Sequence, residues 1–421
     1  MSRSLLGRRL ANPSSVLLLS TLVSYAVAFI TGAIQARLLG PVGRGELATA
    51  VVPATLIALL ATFNTQDYFA NRSAVGDDPR RLVRESAGIS LVLGAVLVPV
   101  YVLAVSVIHD PLSHVWWIFV GYALVLPLTL FTTNTVWIAT GRERWATVAW
   151  SRMLPGLLLA LGLGIAAFLG AGVLGVGATV VVTGTLGPLL ALAWARMIPL
   201  GRPSLTALGA AWRFGLKAWP ASTIWLFSQR IDALLVTVIA TKDEVGFYVV
   251  AVSIASVLMA VSNAIGLPAR NFAAQGNFVA VRKRFAISLV ATAAAGCVLS
   301  AVIPFLVPVV FGAAFEPVNQ IAWILIAAQV PLAGATVLSF ALVGSGHPSR
   351  PLVAVTLGLA TAVGAIFGLY PVLGVEGIAV ASLLGAVVTF ICLLVEAQRI
   401  SHVFSLRRST RNQSAADAAE R

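Results

Sequence analysis

Arg80-Arg81-Leu82-Val83-Arg84, the apolar run 86–108, the gap His109-Asp110-Pro111-Leu112-Ser113-His114, the apolar run 115–140 and then Arg142-Glu143-Arg144 form one period of a pattern. A basic patch opens the period and another closes it, while the gap in the middle holds no Lys or Arg. Each run is long enough to cross the ~30 Å hydrocarbon layer as a helix of about 20 residues. Short loops left in the cytoplasm keep Lys and Arg, and exported ones lose them. The period therefore reads as two membrane helices, entering from the inside and returning to it.

The same reading extends over the whole chain. The apolar runs are 14–38, 47–69, 86–108, 115–140, 147–169, 173–197, 219–240, 246–268, 285–310, 321–343, 351–370 and 377–398. Composition agrees: 59% of residues are hydrophobic, 10% are charged, and the mean hydropathy is +0.96. A soluble domain carries about a quarter charged residues. The runs are continuously apolar rather than alternating, so helices are expected and not barrel strands. Of the 28 Lys and Arg, 24 lie in or at the margins of the inside gaps and at the termini, Arg37, Arg44 and Lys242 lie in or at the margins of outside gaps, and Arg230 lies deep within a run. The expectation is an all-α, polytopic protein of the cell membrane, with twelve transmembrane helices and both termini cytoplasmic. The first run is longer than a signal-peptide core and eleven more follow, so it reads as a retained span. A formal net charge of +13 would suit nucleic acid. Topology and anionic inner-leaflet lipid account for these charges instead, and no nucleic-acid partner is expected.

The two halves repeat. Val173-Leu174-Gly175-Val176 recurs as Val372-Leu373-Gly374-Val375, 199 positions on. Gly141-Arg142 corresponds to Gly346-His347 at 205, and Arg44-Gly45-Glu46-Leu47-Ala48 to Val245-Gly246-Phe247-Tyr248-Val249 at 201. All three pairs lie at matching ends of spans, which predicts two six-helix lobes. Six spans is an even number, so both lobes insert the same way, related by a pseudo-twofold along the membrane normal with a path between them. The expected division is a cytoplasmic N-terminus (1–13), an N-lobe (14–198), a cytoplasmic connector (199–216), a C-lobe (217–400) and a cytoplasmic tail (401–421) expected to be disordered.

The function classes narrow accordingly. The outside gaps are too short to fold into a catalytic domain, and no Gly-Lys-Ser/Thr phosphate loop is present. Cys297, Cys392 and the four His are scattered without metal-ligand spacing, so neither cofactor nor metal is expected. Transport fits this chain better than catalysis.

Polar groups within spans are the candidate site. Ser228-Gln229-Arg230-Ile231-Asp232 interrupts the seventh run. A charge at the bilayer centre costs ~2.5–3.5 kcal/mol on insertion scales unless it is paired or wet. Arg230 and Asp232, two residues apart on a helix, cannot share a face. Each either pairs with a neighbouring helix, or Arg230 faces a wet cavity and grips an anion, with Gln229 and Asp232 beside it. Arg37 either snorkels to the outer headgroups or makes a second phosphate contact. Arg44 is expected to pair locally with Glu46. Asp67, in Asn64-Thr65-Gln66-Asp67-Tyr68, is a coupling-ion candidate or an interfacial carboxylate. Asn134, Asn263 and Gln329 are expected to hydrogen-bond between helices. Arg80–Arg84 and Arg282-Lys283-Arg284-Phe285 read as short amphipathic segments on the inner leaflet.

The run Ala36-Arg37-Leu38-Leu39-Gly40-Pro41-Val42-Gly43-Arg44-Gly45-Glu46-Leu47-Ala48 resembles the turn between the first two spans of polysaccharide-biosynthesis (Wzx-like) flippases. These belong to the multidrug/oligosaccharidyl-lipid/polysaccharide (MOP) exporter superfamily. Arg230-Ile231-Asp232 and Glu244-Val245-Gly246-Phe247-Tyr248-Val249-Val250-Ala251 are similar to that family's seventh span and the opening of its eighth. The resemblance implies a MATE-like pair of six-helix bundles that moves a polyprenyl-(pyro)phosphate-linked glycan from the inner to the outer leaflet. Arg230 and Arg37 would grip the phosphates. Membrane lipids, and glycosyltransferases or a polymerase of the same pathway, would be its partners. Two alternatives share the architecture: a multidrug/cation antiporter of the same superfamily, and a major-facilitator transporter. The loop Gly76-Asp77-Asp78-Pro79-Arg80-Arg81 lacks the Gly-x-x-x-Asp-Arg motif of the latter.

Overall fold

A computed structural model describes the backbone of residues 13–419 apart from 109, 112, 199–200 and 348, with side chains described no further than Arg399. The expectation for 1–12 lies outside the described residues, and the backbone of the expected tail is helical as far as Ala419. Among the described residues every regular element is helical. The order is α1 (Pro13–Leu60), α2 (Thr65–Ala74), α3 (Pro79–Ile108), α4 (His114–Gly141), α5 (Trp145–Phe168), α6 (Val173–Trp194), α7 (Leu208–Ile239), α8 (Lys242–Ala255), α9 (Val257–Ala274), α10 (Phe278–Val310), a 3-10 turn (Ala313–Phe315), α11 (Val318–Gly344) and α12 (Ser349–Ala419).

Ten helical stretches are long and apolar enough to cross a membrane, with α8 and α9 together forming one of them. Two are far longer than one crossing: Leu19–Leu60 has 42 residues and Ser349–Arg399 has 51. At 1.5 Å per residue, 42 residues reach roughly twice the ~30 Å hydrocarbon thickness. Both are broken by a glycine in backbone territory closed to other residues, Gly40 at φ 65°, ψ −178° and Gly374 at φ 58°, ψ −141°. Ten stretches, against the twelve spans expected, meet the length and hydropathy measure, and each of these two long ones falls into two apolar segments at its glycine.

Local chemistry explains the boundaries. Ser113 accepts a hydrogen bond from the Trp116 amide at 3.2 Å and so caps α4. Thr241 and Glu244 form a capping box at the start of α8, with the Thr241 amide 2.9 Å from Glu244 Oε2. The basic clusters before the third and ninth spans are not separate interfacial segments. Arg80, Arg81 and Arg84 occupy the opening turns of α3, and Arg282, Lys283 and Arg284 lie within α10. In each case one continuous helix extends from the basic cluster into the apolar run.

The chain forms two compact units. Unit one holds residues up to Leu226 together with Ala233–Val257 and Pro304–Asn319. Its core contains Leu82, Ile89, Leu130, Ile138 and Leu192, and a second cluster contains Leu47, Ile118, Leu163 and Val176. The segment leading into α7 is docked rather than free. The Ser204 amide donates to the Arg84 carbonyl at 3.0 Å, and Thr206 Oγ1 donates to Glu85 Oε1 at 2.8 Å. Trp212 and Trp219 pack on the Phe63 ring at 4.9 and 5.3 Å.

Unit two holds Phe227–Asp232, Leu258–Ile303 and the chain from Gln320 onward. Ala335, Leu338, Leu342 and Leu393 form a core against which Phe285 and Phe390 stack, their centroids 6.0 Å apart. Glu396 bridges Arg350 and Arg399.

Candidate functional site

The interrupted stretch of α7 keeps its helical path, so its polar side chains fan out around the axis. Gln229 and Arg230 are exposed, and Asp232 is half-buried. Arg230 makes no hydrogen bond or ion pair with a described residue, Asp232 included. Asp232 turns instead toward α12, where Ser382 Oγ donates to its Oδ2 at 3.2 Å and to the Ile378 carbonyl at 3.1 Å. The expected divergence of the two charges is thus present. A carboxylate is tied to a neighbouring helix of unit two, and a guanidinium with no partner among the described residues stands on another face of the helix. Ser382 was not distinguishable in the sequence, because serines that bond back to their own helix are common throughout these spans.

Arg37 has a different environment. Its Nε donates to the Val310 carbonyl at 2.9 Å, and its Nη2 donates to the Val309 carbonyl. Those are the last carbonyls of α10, which no further helical turn can satisfy. A guanidinium at that position also meets the negative end of the helix dipole. Arg37 and Arg230 lie in different compact units.

Asp67 sits in the first turn of α2, after a break where Phe63 and Asn64 have φ of 44° and 58°. Asn64 Nδ2 donates to Asp67 Oδ2 at 2.9 Å, and Gln66 Nε2 donates to Asn64 Oδ1 at 3.3 Å. Two residues before it, Thr65 Oγ1 donates to Asn134 Oδ1 at 3.1 Å, the interhelical bond expected of Asn134. The local pair expected of Arg44 and Glu46 does not form. Arg44 is buried with its Nε unpartnered, and Glu46 lies 4.0 Å from His114 Nδ1. The side chains of a first-turn helix diverge too fast for neighbours two apart to meet. Neither of two apolar pockets contains a predicted residue. One is lined by Trp150, Leu154, Ala191 and Trp194, the other by Leu289, Val330, Pro331, Leu383, Val387, Phe390 and Ile391. Among the described residues no group of three His, Cys, Asp or Glu is placed to hold a metal.

Comparison with known proteins follows the same lines. The family model described as "Polysaccharide biosynthesis protein" matches residues 10–269. No curated protein matches significantly. Among solved structures, the inward closed conformation of the lipid II flippase MurJ superposes with a TM-score of 0.77 at 10% identity, covering 91% of this chain and 88% of that one. An inward-facing multidrug resistance MATE transporter of the MOP superfamily gives 0.66 at 17% identity, covering 91% and 96%. Its outward-facing counterpart gives 0.65 at 17%, covering 94% and 97%. The solved structures share the multi-pass helical fold of this chain, and the family match places it: the chain belongs to the polysaccharide biosynthesis protein family.

Proposed function

We propose that the protein flips a polyprenyl-(pyro)phosphate-linked oligosaccharide from the inner to the outer leaflet of the cell membrane, for cell-surface polysaccharide synthesis. The observation that carries this reading is Arg230, an exposed guanidinium within the apolar helix α7 with no anion among the described residues paired to it. An unpaired cation at that depth is costly in hydrocarbon and tolerable in water. It then suits a phosphate ligand, which a guanidinium can bind through two parallel N–H donors. Gln229 adds amide donors and acceptors next to it, matched to sugar hydroxyls. Asp232, tied to Ser382, keeps its carboxylate away from the incoming phosphate and so lowers like-charge repulsion.

In this scheme the glycan and phosphate pass through the wet path by alternating access, while the polyprenyl tail stays in lipid. Both termini are cytoplasmic, as the Lys and Arg pattern requires, and the inner gaps contact anionic lipid. Glycosyltransferases and a polymerase of the same pathway supply and consume the substrate. The test is flipping of a lipid-linked oligosaccharide in reconstituted vesicles. Arg230→Ala should abolish it at normal membrane levels, and Arg230→Lys should retain part of it. Full activity of R230A would refute the assignment.

A further inference from the structure

At the inner end of α5 and α6, two indoles flank a groove on the surface of unit one, to which both helices belong. Further into the membrane the two helices are in close contact. A methyl group built on Gly187 would lie 2.5 Å from the Pro155 nitrogen. On the cytoplasmic side of that contact the side chains turn large. Trp150 and Leu154 stand one turn apart on α5, as do Ala191 and Trp194 on α6. They line an apolar cavity of about 350 Å³, with the buried Ala191 in its wall. That volume falls in the range of roughly 300–1,000 Å³ found for small-molecule sites. Trp150 is 42% exposed and Trp194 67%.

The two indoles keep their donors free. Trp116, Trp219 and Trp323 each donate an indole N–H to a protein oxygen at 3.0–3.1 Å. Among the described residues, Trp150 and Trp194 donate to none. Cations adjoin them. Arg144, just before α5, donates from Nη1 to the carbonyl of Ala195, just after α6, at 3.4 Å. The bond ties the two helix ends together, is long, and uses one of five guanidinium N–H donors. Arg196 follows Ala195, exposed, in a left-handed turn at φ 55°. No described carboxylate pairs with either arginine, Glu143 included.

These features together fit one kind of ligand. An apolar cleft takes hydrocarbon, indole N–H groups take ester or phosphate oxygens, and unneutralised guanidiniums take a phosphate. A soluble anion gains nothing from the cleft. A zwitterionic lipid brings a cation of its own toward the arginines. The basic gaps place this end of α5 and α6 at the inner leaflet, whose anionic phospholipids combine an acyl chain with a net negative headgroup.

We propose that this groove binds an anionic phospholipid of the inner leaflet, one acyl chain between Trp150 and Trp194 and the phosphate on Arg144 and Arg196. The bound lipid joins the start of α5 to the end of α6. The site does not depend on what the protein transports. The probe is phosphatidylglycerol with a photoreactive diazirine on one acyl chain, cross-linked to the purified full chain in phosphatidylcholine nanodiscs. Adducts are mapped by peptide mass spectrometry. They should concentrate on 150–154 and 191–194, and fall with added unlabelled phosphatidylglycerol but not with the same amount of phosphatidylcholine. Losing the charge-assisted bonds in R144Q/R196Q should lower their yield at least about tenfold. Arg152 is two residues from both Trp150 and Leu154, hence on another face of α5, and Arg152→Gln should leave the yield unchanged. Adducts spread evenly around the helices, equal displacement by phosphatidylcholine, or an unchanged yield in R144Q/R196Q overturns the site. If that double variant does not accumulate, Trp194→Leu at its exposed position decides in its place: a loss of adducts supports the site and an unchanged yield overturns it. Displacement by a polyprenyl phosphate at lower concentration than by phosphatidylglycerol would assign the groove to a carrier lipid and overturn the proposal as well.

Discussion

At the level of single residues, burial and partner count separate the charged groups that hold the fold from those free to act. Glu85 is 2% exposed and accepts from Arg81 Nε at 2.9 Å and from Thr206 Oγ1 at 2.8 Å, tying α3 to the segment before α7. Glu85→Ala leaves the Thr206 hydroxyl with only Ser204 Oγ, at 3.1 Å, beside a small void and should lower stability by roughly 1–3 kcal/mol. Arg81→Ala removes an exposed partner of the same carboxylate and should cost less than about 1 kcal/mol. Thermal melts in detergent distinguish the two, and equal losses would contradict the burial argument. Asp67 accepts a hydrogen bond from Asn64, which stands in a left-handed turn. Asp67→Asn is therefore expected to reduce stability while leaving the dependence of transport on an imposed ion gradient unchanged. Loss of that dependence would restore Asp67 as a coupling residue.

At the level of elements, α12 contains its own control. Gly374 has φ 58° and ψ −141°, a conformation other residues reach only at a cost of ~1–3 kcal/mol. Gly364 lies in regular helix with open space around its Cα. Gly374→Ala should lower the melting temperature, whereas Gly364→Ala should leave it unchanged or raise it, through a helix-propensity gain of up to ~1 kcal/mol in stability. A destabilised G364A would show that the surface at that position is in contact with something. The contrast also shows what a sequence discloses. Apolar runs and basic gaps mark where helices cross, because both signals are local in the chain. Gly374 was visible as one half of a repeated Val-Leu-Gly-Val motif, yet nothing local says that it breaks α12 and Gly175 does not break α6. Likewise, Arg37 was legible as an unusual cation, but its acceptors lie 272 and 273 positions away. The 201-residue offset identified Gly45 and Gly246 as equivalent without revealing that they touch. Contacts distant in sequence depend on how the helices pack, and an apolar run carries little information about its neighbours.

At the level of the whole molecule, the two broken helices set which loops must face the outside. If α12 is two spans, residues near Gly374 face the side opposite to Arg350 and Arg399, and the basic flanks place those two arginines inside. Val372 is 78% exposed just before the break. In a C297A/C392A background, Val372→Cys should react with an impermeant maleimide applied to intact cells. Asp110→Cys, in the cation-free gap between α3 and α4, should do the same. Asp77→Cys and Asn277→Cys, in basic gaps, should react only after the membrane is permeabilised. A single tilted crossing by α12 would put Arg350 and Arg399 on opposite sides and leave Val372 at neither surface. Protection of V372C in both intact and permeabilised cells would therefore reduce the count below twelve. Labelling of D77C from outside would invert the topology, and with it the direction in which the glycan is proposed to move.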